Sequence, residues 1–198
     1  MTQIDYFFTL NSPWSYMGGE RLAKMAKEHG ASVNTKPAQM GVVFAQTGGL
    51  PLPKRAPARQ AYRLVDMKRW VEFLEIPFVR EPEFFPHDET EGVRLVLAAV
   101  ETGGDALALA TEIGRSLWEL NEDPADADIQ SAAAARAGFD ADALRGALSL
   151  EDAATIWSKN TDEALDRGVF GAPSYIIDGE IFWGQDRLDF VERKLANS

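Results

Sequence analysis

A chain of 198 residues with 45% hydrophobic and 26% charged residues is long enough to bury a substantial core and too apolar to remain disordered. It contains no cysteine, which excludes disulfides, cysteine nucleophiles, zinc–thiolate centres and any dithiol redox cycle carried by the protein, and its two histidines do not suit a histidine-rich metal site. A net charge of −11 speaks against general binding to nucleic acid or anionic membrane.

Residues 3–10 are predicted to form a buried strand, with Tyr6, Phe7 and Phe8 supplying β character. No basic region precedes a cleavable apolar segment, and no apolar run approaches the ~20 residues that cross a bilayer, so the cytoplasm is the expected compartment. At Asn11-Ser12-Pro13 the pattern changes to helical spacing. Ser12 can cap a free backbone N–H, and Pro13 at the first helical position lacks only an amide that would go unpaired. Free amides and the positive end of the helix dipole then point at whatever lies beside Ser12. That geometry suits a thiolate, carboxylate or phosphate, and equally a plain capped turn. The helix is expected to run to about His29, with Leu22, Met25 and Ala26 inward and Gly30 as the stop. Residues 32–38 give a short second strand, completing a β-α-β unit whose strands should be parallel.

From Gly41 to about Leu150 the pattern is helical. A Gly/Pro-rich loop at 46–57 feeds a helix from about Ala56 to Leu74, and residues 75–88, with three prolines, should be extended or turning. Further helices are expected at 90–102, 105–120, 126–136 and 141–148. The runs DPADAD and PHDETE read as solvated loops and caps, not metal ligands. Residues 54–69, KRAPARQAYRLVDMKR, carry six basic residues and one acidic, a local +5 that leaves −16 elsewhere. The segment is either an anion site or an exposed helix paired with acidic neighbours. A helix over 150–167 closes at Gly168, Asp178-Gly179 between two apolar runs signals a two-residue hairpin, and Gly184-Gln185-Asp186 leads into a terminal helix for which Asp186 reads as an N-cap.

Without its middle the chain is β-α-β joined to α-β-β-α, the order of a thioredoxin-like fold. The expected class is α/β, a thioredoxin-like domain over 1–39 and 151–198 with an inserted all-helical domain over 40–150. The motif SPWSY at 12–16, the loop GGLPLPKRAPARQAYRL at 48–64 and the segment GVFGAPSYIIDGEIFWGQDRLDFVER at 168–193 resemble the 2-hydroxychromene-2-carboxylate isomerases. These are glutathione-dependent bacterial enzymes related to kappa-class glutathione transferases and, more distantly, to DsbA-like oxidoreductases. Redox-active members of that wider group start the first helix with C-x-x-C; here Ser12-Pro13-Trp14-Ser15 stands there.

The resemblance implies glutathione as a recycled cofactor, with its sulfur beside Ser12 and activated by the hydroxyl and the helix N-terminus. It also implies a cis peptide before Pro173 that turns the backbone of Ala172 toward the cysteinyl unit, and a γ-glutamyl end held at Gln185 and Asp186. Arg59, three residues before Tyr62, best matches a lysine of the kappa family, whereas an asparagine of the kappa loop has no clear equivalent in GGLPLPKR. Lys54, Arg55 and Arg63 are candidates for a substrate carboxylate. Asn11 is a pocket donor or a turn residue, Ser15 a helix residue or second donor, and Trp14, Trp183 and Phe170 either stack on an aromatic substrate or belong to the core. The implied activity is the interconversion of 2-hydroxychromene-2-carboxylate and trans-o-hydroxybenzylidenepyruvate, or a related enone acid of aromatic catabolism, by reversible thiolate addition in a homodimer. Two alternatives stay open: a kappa-like transferase or peroxidase that consumes glutathione, and a redox-silent thioredoxin-like protein that binds peptides at the Pro173 edge.

Overall fold

The computed structural model describes residues 1–197. Strand β1 (Gln3–Phe8) buries Ile4, Tyr6, Phe7 and Phe8, apolar residues on successive positions broken only by Asp5, as a strand needs when both its faces are covered. It ends two residues before the sequence pattern does, because Thr9 already turns the chain: its carbonyl accepts the Ser12 N–H at 3.1 Å. Helix α1 (Pro13–Glu28) follows, and β2 (Ser32–Pro37) returns parallel to β1. Near the C-terminus β3 (Ser174–Ile177) and β4 (Glu180–Trp183) form the expected hairpin, with Asp178 and Gly179 both at positive φ, 52° and 82°, as a two-residue primed turn requires. β3 lies antiparallel to β1, setting Tyr175 opposite Tyr6, and the sheet order is β2-β1-β3-β4. This mixed sheet is the thioredoxin-like arrangement that the element order implied.

Between β2 and β3 lie α2 (Met40–Thr47), α3 (Pro57–Leu74), α4 (Thr90–Glu101), α5 (Ala106–Trp118), α6 (Ala127–Arg136), α7 (Ala141–Ala147) and α8 (Leu150–Asp166), and α9 (Leu188–Leu195) ends the fold. Helix α2 has no individual signature in the sequence. No side chain caps its start, and it forms because Met40 and Val43 pack on Phe7, Ala164 and Val169. The sheet, α1 and helices α4 to α9 share one core that includes Leu22, Leu95, Leu109, Ile113, Tyr175 and Leu188. Fully buried Trp118 stacks on Phe78 at 5.4 Å and so fixes the proline-rich segment over 75–88. Two peptides are cis, Phe85-Pro86 and Ala172-Pro173. Among the described residues no helix is long and apolar enough to cross a membrane.

At the end of β1 away from α1, Asp5 ties the sheet to α8. Burial pushes its carboxyl up, but hydrogen bonds from Arg167 (2.5 Å), Asn34 (2.8 Å) and Gln3 (2.7 Å) outweigh burial and hold it below the usual carboxylate value. A carboxyl lowered on folding stabilises the fold above its unfolded value and loses that contribution as the pH falls through its folded value. Asp5→Asn is therefore expected to lower the urea midpoint at neutral pH. The gap from the unsubstituted protein should close below about pH 4, which urea melts across an acid series measure directly.

Candidate functional site

Two cavities meet at the N-terminus of α1, one of about 450 Å³ and one of about 230 Å³. Trp14, Arg55, Arg63 and Ala172 line both, so they form the partition. Ser12 sits on the wall of the smaller cavity, only 8% exposed. Its Oγ accepts the Ser15 N–H at 3.2 Å, which makes it the helix cap, and its own hydrogen has no acceptor among the described residues. The cap thus fixes the oxygen while leaving a donor free at the positive end of α1. Ser15 is turned inward: its Oγ is buried without a partner and lines neither cavity.

The larger cavity lies between α3 and the segment 172–187. Arg59, Tyr62, Arg63, Asp66 and Trp70 share one face of α3, at spacings of three, four, seven and eleven residues. Ala172, Trp183, Gly184, Gln185, Asp186 and Arg187 form the opposite wall. Among the described residues Arg55, Arg59 and Arg63 make no ion pair, so the basic segment is not neutralised by acidic neighbours at these positions. Arg63 stacks over Phe85 at 5.4 Å and Trp118 at 5.9 Å. Burial, and then the neighbouring charge of Arg55, bring its guanidinium down to about 10. The carboxyl of Asp66 is pushed up by burial and by Asp186 across the cavity, against the pull of Arg69. A cavity with a carboxylate pair at one place and unpaired guanidinium groups at another suits a zwitterion that carries both an ammonium and carboxylates.

Gln185 and Asp186 sit in a 3-10 turn ahead of α9, so Asp186 is not the cap that the sequence suggested; Gly184 stands at the capping position of the turn and Arg187 at that of α9. Gly184 has a φ of 102°, and a side chain there would meet the Asp186 carboxylate at once, so both the backbone and the crowding call for glycine. The amide of Gln185 points away from solvent: Oε1 accepts from Arg21 at 2.7 Å while Nε2 is buried without a partner. Arg21 also lies over the Trp70 ring at 5.9 Å, joining α1 to both cavity walls. Asp186 pairs with Arg187 at 2.7 Å.

The smaller cavity is lined by apolar groups, Met40, Phe44, Leu52, Phe85 and Pro86, together with Thr9, Asn11, Ser12, Glu89 and the two arginines of the partition. Asn11 lines it, but its carboxamide is taken up in holding a loop, donating to the His87 carbonyl at 2.9 Å and accepting the His87 N–H at 3.0 Å. Glu89 also lines it, accepting from the Asn11 N–H at 3.0 Å and from Thr9 Oγ1. Within PHDETE, expected as solvated loops and caps, one carboxylate lines a cavity while its residue stands at the N-cap position of α4. Lys54 is exposed and lines neither cavity. Pro173 lies behind the wall, its carbonyl accepting the Gly184 N–H at 2.9 Å, while the backbone of Ala172 has no partner among the described residues.

Sequence reasoning missed Arg21, Asp66, Trp70 and Glu89. A signal existed for Asp66. It is the single acidic residue in 54–69, and it falls on the helix face of Arg59 and Arg63.

Known proteins share this fold. A family model described as a DSBA-like thioredoxin domain matches residues 3–196. A 2-hydroxychromene-2-carboxylate isomerase of Sphingobium xenophagum is 30% identical over 196 residues, covering 98% of each chain. Glutathione S-transferase kappa 1 of Homo sapiens is 26% identical, covering 98% of this chain and 90% of its own. Among solved structures, a 2-hydroxychromene-2-carboxylate isomerase superposes with a TM-score of 0.79 at 25% identity, over 98% of this chain and 95% of the other. The chain therefore belongs to the DsbA-like thioredoxin domain family, among the 2-hydroxychromene-2-carboxylate isomerases and with the kappa-class glutathione transferases next to them.

Proposed function

We propose that the protein is a glutathione-dependent isomerase that interconverts 2-hydroxychromene-2-carboxylate and trans-o-hydroxybenzylidenepyruvate, or a closely related aromatic enone acid. The observation that carries this reading is Ser12, a hydroxyl with a free donor at a helix N-terminus, where two cavities of different character meet, in a chain with no cysteine of its own. The larger cavity fits glutathione: Asp66 and Asp186 would take its ammonium, Arg59 a carboxylate, and the unpartnered backbone of Ala172 the cysteinyl peptide, as an added strand would. The smaller, mostly apolar cavity fits an aromatic ring whose carboxylate lies toward Arg63 and Arg55 at the partition.

When bound, glutathione supplies a thiolate whose reversible addition to the conjugated carbon lets the former double bond turn as a single bond. Ser12 and the amides of α1 favour the charged form of that sulfur. Arg63 and Arg55 steady the negative charge that builds on the keto-acid side.

A spectrophotometric assay of the interconversion with and without glutathione tests the reading. Turnover only when glutathione is present, with no adduct or glutathione disulfide accumulating, is the expected result. Accumulating adduct or disulfide would instead assign a kappa-like transferase or peroxidase, a reading favoured by the full-length kappa relatives.

A further inference from the structure

Glu89 is the single carboxylate on the described wall of the smaller cavity, and it does not line the larger one. Two donors clamp one of its oxygens: Oε1 accepts from Thr9 Oγ1 and from the Asn11 N–H at 3.0 Å. The other oxygen, Oε2, has no partner among the described residues. The clamp itself is anchored, since Asn11 is locked to the His87 backbone by two hydrogen bonds, and Thr9 and Asn11 belong to the same turn that presents Ser12. A structural tie between the loop and the β1–α1 turn needs only Oε1. It leaves over a second carboxylate oxygen, on a residue that lines the same cavity as Ser12, Arg55 and Arg63.

We propose that Glu89 is the acid–base residue that opens and closes the ring of the substrate. This inference rests on the isomerase reading. In the ring-closed form one carbon bears both the hemiketal hydroxyl and the ring oxygen, so a single carboxylate can reach both. Glu89 takes the hemiketal proton. The O–H electron pair becomes the new carbonyl π bond as the bond from that carbon to the ring oxygen breaks, and the departing phenol oxygen receives the proton back from Glu89. No proton is gained or lost overall, and no oxidant or metal is needed. The open enone is then the form on which rotation about the conjugated bond takes place. Ring opening and rotation thus fall to different residues, Glu89 for proton transfer at oxygen and Ser12 for the sulfur that acts at carbon.

Two substrates separate these roles. Exchange between the closed hemiketal and the open cis acid, followed by NMR exchange spectroscopy, needs no thiol. Isomerisation of o-methoxybenzylidenepyruvate needs glutathione but has no phenol to protonate. Glu89→Gln keeps an acceptor oxygen for Thr9 and Asn11, so the clamp survives. The variant is expected to lose about 100-fold or more of the protein-accelerated ring exchange, the size of a general acid–base contribution. It should lose far less with the methoxy substrate than in ring exchange, and bind glutathione with unchanged affinity by calorimetry. Ring exchange in the variant equal to that of the unsubstituted protein would overturn the assignment while leaving glutathione-dependent turnover intact. Equal losses on both substrates would overturn it too, by showing a purely structural residue. Failure of the unsubstituted protein to isomerise either substrate with glutathione would remove the isomerase reading itself.

Discussion

Ser12→Ala is expected to lower kcat/KM for the glutathione-dependent isomerisation by about 10- to 100-fold, the cost of removing a hydrogen bond worth ~1.5–3 kcal/mol to a charged group. The same substitution removes the cap on Ser15 N–H, which costs about 1 kcal/mol of stability. The two losses have different readouts. The pKa of the bound thiol, followed by its ultraviolet thiolate absorbance, should rise by about one to two units in Ser12→Ala, because each unit corresponds to ~1.4 kcal/mol of preference for the charged form. A denaturation midpoint reports only the lost cap. Ser12→Thr retains both the capping oxygen and the donor, so it should keep a low thiol pKa. An unchanged thiol pKa in Ser12→Ala would sink the activation role even if turnover fell, since a displaced helix start alone would then explain the slower rate.

Arg63→Met should separate substrate binding from folding. The guanidinium stacks on Phe85 and Trp118 without an ionic partner among the described residues, and burial has brought it down to about 10, so it stays charged at neutral pH. A cation whose folded value lies below its unfolded one costs the fold stability at neutral pH, and the cost fades only as the pH rises through about 10. Methionine keeps much of the apolar contact and removes the charge. The unliganded variant should therefore unfold at an equal or higher urea concentration than the parent protein. Its KM for the keto acid should rise by about 30-fold or more, because the substrate carboxylate then enters an apolar cavity without its counter-charge. Glutathione affinity should change far less than in Arg59→Met. Equal losses of glutathione and substrate affinity in Arg63→Met would move Arg63 from the substrate half of the site to the glutathione half.

The parts of the fold visible in the sequence are those written in local chemistry. Ser12-Pro13 starts a helix because a hydroxyl and a missing amide answer the needs of a helix end, and Asp178-Gly179 makes a hairpin because both positions tolerate positive φ. Nothing local marks α2, which exists because Phe7 and α8 offer Met40 and Val43 a surface to cover. The site divides in the same way. Ser12, Arg59, Arg63, Gln185 and Asp186 lie in segments with their own patterns, and the structure gathers all five around the two cavities. Lys54 belonged to the same basic run, but it ends a 3-10 turn ahead of α3 and is exposed, outside both cavities. Glu89 was hidden for the opposite reason. It stands in a run of polar residues that looks solvated, and only a turn 78 residues upstream gives it an enclosed neighbourhood.

Arg21 carries a consequence for the order in which these properties arise. Its guanidinium reaches across 164 residues of sequence to Gln185 and lies over Trp70 on the way, so the larger cavity has no second wall until the first and last parts of the chain have met. Contacts of such separation form late, after the entropy of closing a long loop has been met. Partly folded chains would then have no affinity for a ligand that spans both walls. Such a ligand binds the finished protein alone, and stabilises it in proportion to RT ln(1 + [L]/Kd).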